Sequence, residues 1–316
     1  MSFAIGIDVG GTYIKYGLAD HMGSILYEST KPTYLLGKQV YDNISNIIVE
    51  LKTYTAAKGL TLEGIGIGVP AIIDKGQVNG CQANLPELEG MALGSLLEAW
   101  AGMLVSVDND ASLMGLAEWK FGAARGATDA IFLTIGTGIG GAMVVNGELY
   151  AGYRNRGAEL GHIIVQADGY PCGCGGNGCL EAHASVKALI REYTIYLHEQ
   201  EKIHTAAKAE ITGSVIISRY LEGQPAAVRA MNRHFDYLGA GIAGLINIFS
   251  PQKLIIGGGI SEAGEVYIQQ IRQRAMSRAM KETSLNTDIV GAQLGNRAGL
   301  LGAAALVFNR IGSSPY

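Results

Sequence analysis

Three cysteines and a histidine lie close together in the chain: His162, then Cys172, Cys174 and Cys179. Thiolate and imidazole are the donors of closed, tetrahedral zinc sites. The sulfurs follow a Cys-x-Cys-x4-Cys spacing with Gly173, Gly175, Gly176 and Gly178 between them. Such a backbone can turn tightly round one ion. Reduced thiols in a loop, or a disulfide, are the alternatives, but turn glycines rather than core apolar residues favour a structural metal. Cys81 lies apart and reads as an ordinary thiol. Glu159 and Glu181 flank the loop without being usual ligands of such a site. Two carboxylates fixed beside a rigid knot suit hydrogen bonding to the hydroxyls of a sugar. His162 can bind zinc through one ring nitrogen and offer the other to a ligand.

Two glycine-rich turns suit a polyphosphate. In Asp8-Val9-Gly10-Gly11-Thr12 a strand delivers Asp8 to the mouth of a turn. Glycines let backbone N–H groups approach a phosphate, Thr12 can donate to it, and Asp8 is placed to hold a divalent cation through water. Gly136-Thr137-Gly138-Ile139-Gly140-Gly141 is followed by strand-like Ala142–Val145. The dinucleotide fingerprint needs a helix there, so that reading is disfavoured. Two such turns can clasp one polyphosphate between them. A third run, Gly257-Gly258-Gly259, ends a strand and precedes Ser261-Glu262, which reads as a helix N-cap region. Its bare backbone can lie against an adenine or ribose.

Asp108-Asn109-Asp110 follows an apolar strand. One such residue suffices to cap a helix, and a carboxylate at the C-terminal end of a strand is well placed as a general base. The motif does not say which aspartate takes that role.

The elements that position these residues can be read from periodicity. Strands are expected at Phe3–Ile7, Tyr13–Ala19, Ser24–Thr30, Glu63–Val69, Leu104–Val107, Ile131–Ile135, Ala142–Val145 and Lys253–Ile256. Helices are expected from Val40 to Tyr54, after Asp110, from Val186 to Leu197, and near 225–249, 262–281 and 298–309. The segments FAIGIDVGGTYIKYGL and AIFLTIGTGIGGAMVV share one plan, an apolar strand, a Gly/Thr turn and a return strand. Mixed strands and helices in two similar halves indicate an α/β protein built from duplicated domains.

The 316 residues include 45 glycines and carry a net charge of -4. No basic run gives a nucleic-acid footprint, and no apolar stretch reaches the roughly 18–20 residues of a membrane span. The first residues lack a basic n-region, so no signal peptide is read and a cytoplasmic location is expected. Gly239, Gly241 and Gly244, in one expected helix, read as sites of close helix packing.

Taken together, DVGGT, GTGIGG, the Glu-Leu-Gly-His box, CGCGGNGCLE and IIGGGIS resemble the ROK family of sugar kinases and repressors, over almost the whole chain. The zinc loop with its upstream Glu-x-Gly-His is the most specific part. The resemblance implies an actin-like, hexokinase-like (ribonuclease H-like) fold of two α/β domains around a cleft, with a zinc-binding loop. One lobe would comprise residues 1–110 with 297–316 and the first phosphate turn. The other would comprise 111–296 with the second phosphate turn, the zinc loop and the nucleoside-binding turn.

Residue roles follow from the same resemblance. Asp110 matches the catalytic base. Asn84, Asn109, Asp110, Glu159, His162 and Glu181 match sugar-binding positions. Gly10, Gly11, Thr12, Thr137 and Gly138 match the ATP-phosphate turns, Asp8 the residue orienting Mg2+, and Gly258 the nucleoside turn. His162, Cys172, Cys174 and Cys179 match the zinc ligands. After Val69-Pro70, where many members carry glycine, this chain has Ala71. The implied activity is ATP-dependent phosphorylation of a hexose 6-hydroxyl in a homodimeric enzyme. Within the glucokinase-like branch glucose is the first candidate, while N-acetylmannosamine, N-acetylglucosamine or another hexose also suits the Glu/His set. A sugar-responsive regulator is the expectation from the other branch of the family, but its DNA-binding module finds no room before a strand beginning at residue 3. A filament-forming ATPase would share the fold without the sugar residues.

Overall fold

A computed structural model describes residues 2–34, 39–74, 76–80, 85–201 and 211–312. The first half runs β1 (Ser2–Val9), β2 (Tyr13–Asp20), β3 (Ile25–Pro32), α1 (Val40–Ala57), β4 (Thr61–Val69), β5 (Ile72–Asp74), β6 (Gln77–Asn79), α2 (Leu93–Ala101) and β7 (Val105–Asn109). Helix α3 (Asp110–Phe121) leads to β8 (Ala130–Ile135), β9 (Ile139–Val145), β10 (Glu148–Leu149), α4 (Leu180–Ala184), α5 (Val186–Glu201), α6 (Gly213–Leu221) and α7 (Pro225–Phe249). The chain closes with β11 (Lys253–Gly257), α8 (Glu265–Met276), α9 (Lys281–Ser284), β12 (Asp288–Gly291) and α10 (Ala298–Gly312).

The two halves repeat one topology. The first sheet has the order β3-β2-β1-β4-β7 and the second β10-β9-β8-β11-β12. In each, an antiparallel meander passes into two parallel strands: β4 beside β1 and β7 beside β4, then β11 beside β8 and β12 beside β11. The two sequence segments with a common plan are the β1–β2 and β8–β9 hairpins, at equivalent places in the two sheets. Their central strands are largely apolar because both faces are covered; Ile5, Ile7, Ile65 and Ile67 have no exposed surface. One core gathers β1, β2, β4, α1 and α2, and another gathers β8, β11 and α4 to α8.

Helices α3 and α10 cross between the halves. Leu113, Leu116 and Ala117 of α3 are buried against this crossing and Phe121 is partly buried. Helix α10 lies so close to the first sheet that a Cβ on Gly66 would overlap the Ala303 carbonyl. Buried Glu118 fixes the chain that leads into α10. Its carboxylate accepts from the Ala123 N–H at 2.8 Å and from the Gln293 and Leu294 N–H groups at 2.9 and 2.8 Å.

Two expectations need correction. The helix expected over 262–281 begins later, because Gly264 takes a positive φ of 83° and leaves a 3-10 turn, Gly259–Ala263, behind the glycine run, and it ends at Met276, before the short α9. Of the three α7 glycines, Gly239 meets α8 at Arg274 and Gly241 meets Leu180, whereas Gly244 has nothing within 4 Å of a built Cβ. Among the described residues no helix is long and apolar enough to cross a membrane.

Candidate active site

Parallel strands deliver their C-terminal ends to the space between the sheets, where ligands of open α/β sheets bind. A cavity of about 280 Å3 there is lined by Asp8 from β1, Thr134 from β8, Gly257 at the end of β11 and Gly258 and Gly259 after it, together with Lys15 and Asn296. Gly258 has a φ of 91°, and a Cβ on it would overlap the Ile135 backbone, so the turn after β11 requires glycine there. The turns carrying Gly10, Gly11 and Thr12 and carrying Thr137 and Gly138 form the tips of the β1–β2 and β8–β9 hairpins. Thr12 and Thr137 are exposed. Neither tip lines that cavity among the described residues.

Asp8 is 8% exposed, and its carboxylate has no hydrogen-bond partner among the described residues. Burial, and next the charge of Asp110, push its pKa from 3.8 up to about 6, against the pull of Lys15. A desolvated carboxylate without a donor suits a bound cation. Without that cation, folding favours the protonated form. The stability it contributes is complete below pH 3.8 and is lost as pH rises through about 6. Asp8→Asn, which cannot ionise, is therefore expected to melt higher than wild type at about pH 7.5, by on the order of 3 kcal/mol at most, and to differ little at about pH 4. Thermal melts of the nucleotide-free proteins check this; the same difference at both pH values would contradict it.

A smaller pocket of about 80 Å3 is lined by Asn109, Asp110, Asn155 and Glu159 with Ile72 and Gly157. Asn109 is the N-cap of α3: its Oδ1 accepts the Ser112 N–H at 3.0 Å, and its Nδ2 donates to the Ala71 carbonyl at 3.2 Å. Asp108 Oδ1 accepts from the Asn109 N–H at 2.8 Å and from Asn155 Nδ2 at 3.0 Å. Asp110 Oδ1 accepts the Ala111 N–H at 2.8 Å. Of the two aspartates, Asp110 borders the pocket. Burial raises its pKa, opposed by that N–H and its own. Burial also raises Glu159, with His162 opposing and Asp110 and Glu181 adding to the rise.

Beside this pocket the donor atoms of His162, Cys172, Cys174 and Cys179 all lie within 4.8 Å of one another. Cys172 Sγ is 3.5 Å from His162 Nδ1, and Cys174 Sγ is 3.6 Å from Cys179 Sγ. The latter is far beyond a disulfide, at about 2.05 Å, and close to the edge of about 3.8 Å expected between sulfurs each about 2.3 Å from one zinc. The donor set and its spacing fit zinc. Nδ1 faces the sulfurs, leaving Nε2 for a ligand. Glu181 ties this knot to the second turn: Oε2 accepts the Ile139 N–H at 2.9 Å, and Oε1 lies 3.6 Å from Cys172 Sγ.

The ROK family model matches residues 4–310. The chain belongs to the ROK family.

Among ROK relatives, it is 36% identical to a glucokinase of Thermotoga maritima, over 98% of each chain. It is 31% identical to a xylose repressor of Caldicellulosiruptor bescii, covering 98% of this chain and 79% of the repressor. The structure of a ROK glucokinase from Streptomyces griseus, solved with glucose and AMPPNP, superposes with a TM-score of 0.81 at 32% identity, over 97% of this chain and 99% of that one. The fold is thus the actin-like, hexokinase-like fold of ROK sugar kinases.

Of the positions matched to ROK roles, Asp8 and Gly258 border one cavity and Asn109, Asp110 and Glu159 the other, while His162 stands in the cysteine cluster. Asn84 lies outside the described residues. Three residues escaped the sequence reading. Lys15 pairs across the hairpin from Asp8 and reaches Asn296 Oδ1 at 2.9 Å. Its signal was present, since a lysine in an apolar strand shares a face with its cross-strand partner. Asn155 and Glu118 left no local signal.

Proposed function

We propose that the protein is an ATP-dependent hexose kinase that phosphorylates the 6-hydroxyl of a sugar, with glucose as the favoured substrate. The observation that carries this reading is the Asp110/Glu159 pocket, set beside the cysteine–histidine knot and separate from the cavity bordered by Asp8 and Gly258. Likeness to the Thermotoga glucokinase along the whole chain supports it.

In this reading the sugar sits against Asn109, Glu159, His162 and Glu181, with Asn84 as a further contact. Asp110 accepts the proton of the 6-hydroxyl, and the oxygen bonds to the γ-phosphorus as the bond to the β,γ-bridging oxygen breaks and ADP leaves. The N–H groups of Gly10, Gly11 and Gly138, the hydroxyls of Thr12 and Thr137 and the Lys15 ammonium stabilise charge on the phosphates. Gly258 leaves room for the nucleoside. Bound with ATP, Mg2+ would supply charge neutralisation on the phosphates, with Asp8 as the residue to hold it. Zinc held by His162, Cys172, Cys174 and Cys179 would keep the loop in shape and take no part in the transfer.

The lobes in this proposal are residues 1–110 with 297–316, and 111–296, closing on the cleft to exclude water. The cysteine–histidine cluster without a disulfide fits a reducing cytoplasm, and a homodimer is proposed from the family resemblance. The test is ADP release coupled to a panel of hexoses and N-acetylhexosamines. Glucose should give the highest kcat/KM, with product accepted by a glucose-6-phosphate dehydrogenase. ADP release independent of any sugar would overturn the proposal.

A further inference from the structure

The segment between β10 and the Glu-Leu-Gly-His box adopts backbone that side chains rarely take. Arg154 and Asn155 each have a φ of 57° and Ala158 a φ of 61°. Left-handed geometry at non-glycine residues persists only where the surroundings enforce it. Here the enforcing contacts come from the other half of the molecule. Asn155 Nδ2 donates to the Ile73 carbonyl and to Asp108 Oδ1, both at 3.0 Å. Asp74, at the end of β5, receives two guanidinium groups: Arg154 Nη2 lies 2.8 Å and Arg156 Nη2 2.7 Å from its Oδ2, and Arg154 Nε 3.2 Å from its Oδ1. Burial acts to raise the Asp74 pKa, but the hydrogen bonds and charges of Arg154 and Arg156 outweigh it and hold the carboxyl below its usual range.

These contacts orient one amide. Both hydrogens of the Asn155 carboxamide are spent on acceptors of the first half, which fixes the nitrogen and leaves Oδ1 as the remaining polar atom. Oδ1 has no partner among the described residues, and Asn155 borders the pocket that holds Asp110 and Glu159. We propose that Asn155 is a sugar-binding residue whose carbonyl oxygen accepts a hydrogen bond from a substrate hydroxyl. Asp74, Arg154, Arg156 and Asp108 are the positioning residues that hold it across the cleft. The proposal rests on reading this pocket as the sugar site.

The test is calorimetric binding, without nucleotide, of glucose and its monodeoxy derivatives to wild type and to Asn155→Gly. Glycine keeps the left-handed backbone without strain, so the variant folds. Glucose should bind the variant roughly three- to tenfold more weakly, as for one lost hydrogen bond. One monodeoxy sugar that wild type penalises should bind the variant with no further penalty. A purely structural role would weaken all the sugars alike and leave every deoxy penalty in place. Unchanged penalties, or unchanged glucose affinity, overturn the assignment alone. A wild type that binds no hexose overturns the hexose-kinase reading and the assignment with it.

Glucose is uncharged, so added salt reports on the clasp and not on direct attraction of ligand. Wild-type affinity should fall a few-fold between low and about 1 M salt. Asp74→Asn should start weaker and respond less. Equal salt responses would remove the ion pairs from the proposal.

Discussion

Asp110→Asn should fold as wild type does and lose about a hundredfold to ten-thousandfold in kcat, the range for removing a positioned general base. The carboxamide keeps the oxygen that accepts the Ala111 N–H at 2.8 Å, so the first turn of α3 retains its local hydrogen bond. Asn109, not Asp110, caps that helix. What the variant lacks is a group that takes a proton. Sugar affinity should stay within about tenfold of wild type, because Asn can still accept a hydroxyl hydrogen bond. The same assignment fixes a direction for the pH profile. Burial holds the Asp110 pKa above 3.8, and a base works only when deprotonated. Wild-type kcat should therefore fall as pH drops through that raised value. Steady-state kinetics with ATP and glucose, together with a thermal melt, check both. A variant within tenfold of wild-type kcat would exclude Asp110 as the base.

Cys174→Ser should release the metal. Serine offers a neutral hydroxyl where the site needs a thiolate, and only three donors would remain. The stretch from Cys172 to Gly178 has little apolar side chain to bury, with Cys174, Gly175 and Gly176 exposed. Its order must come from the metal and a few backbone bonds, such as Cys172 N–H to the Gly176 carbonyl at 2.8 Å. Zinc per chain should fall from about one toward zero, and the melting temperature by about 5–10 °C for a loss of a few kcal/mol. The effect should reach the sugar, because His162 is in the knot and Glu181 spans from it to the β8–β9 hairpin. KM for glucose should rise more than KM for ATP. Elemental analysis, a melt and the two KM values test this, and full zinc in the variant would refute the ligand set.

Much of the fold was legible because each of its signals lies within a few residues. The hairpin of β1 and β2 declared itself through apolar runs and a Gly-Gly turn, and its counterpart β8–β9 through the same plan. Elements without such a pattern were not read: α2, α4 and α6, the short β5, β6 and β10, and β12. The start of α8 was misread because Ser261 and Glu262 look like a cap, while the positive φ of Gly264 moves the helix onset to Glu265. In the candidate site, Asp108-Asn109-Asp110 showed three polar residues after a strand and could not rank them. The ranking came from partners: Ser112 and Ala71 occupy Asn109, Asn155 occupies Asp108, and Asp110 is left facing the pocket.

The sequence by itself picked out the four donors of the cysteine–histidine cluster, the two glycine-rich hairpins and the family. Donor chemistry and turn chemistry act over short stretches of chain, and there residue type nearly dictates geometry. The tertiary structure alone decided that Glu118 anchors the entry to α10, that Glu181 joins the cysteine–histidine cluster to the start of β9, and that Asn155 reaches Ile73, 82 residues away. The Asn155 contact depends on how two separately cored sheets pack across a cleft, and the Glu118 and Glu181 contacts on packing between distant stretches of the second half. No local preference of the chain encodes the distance between residues that meet only there.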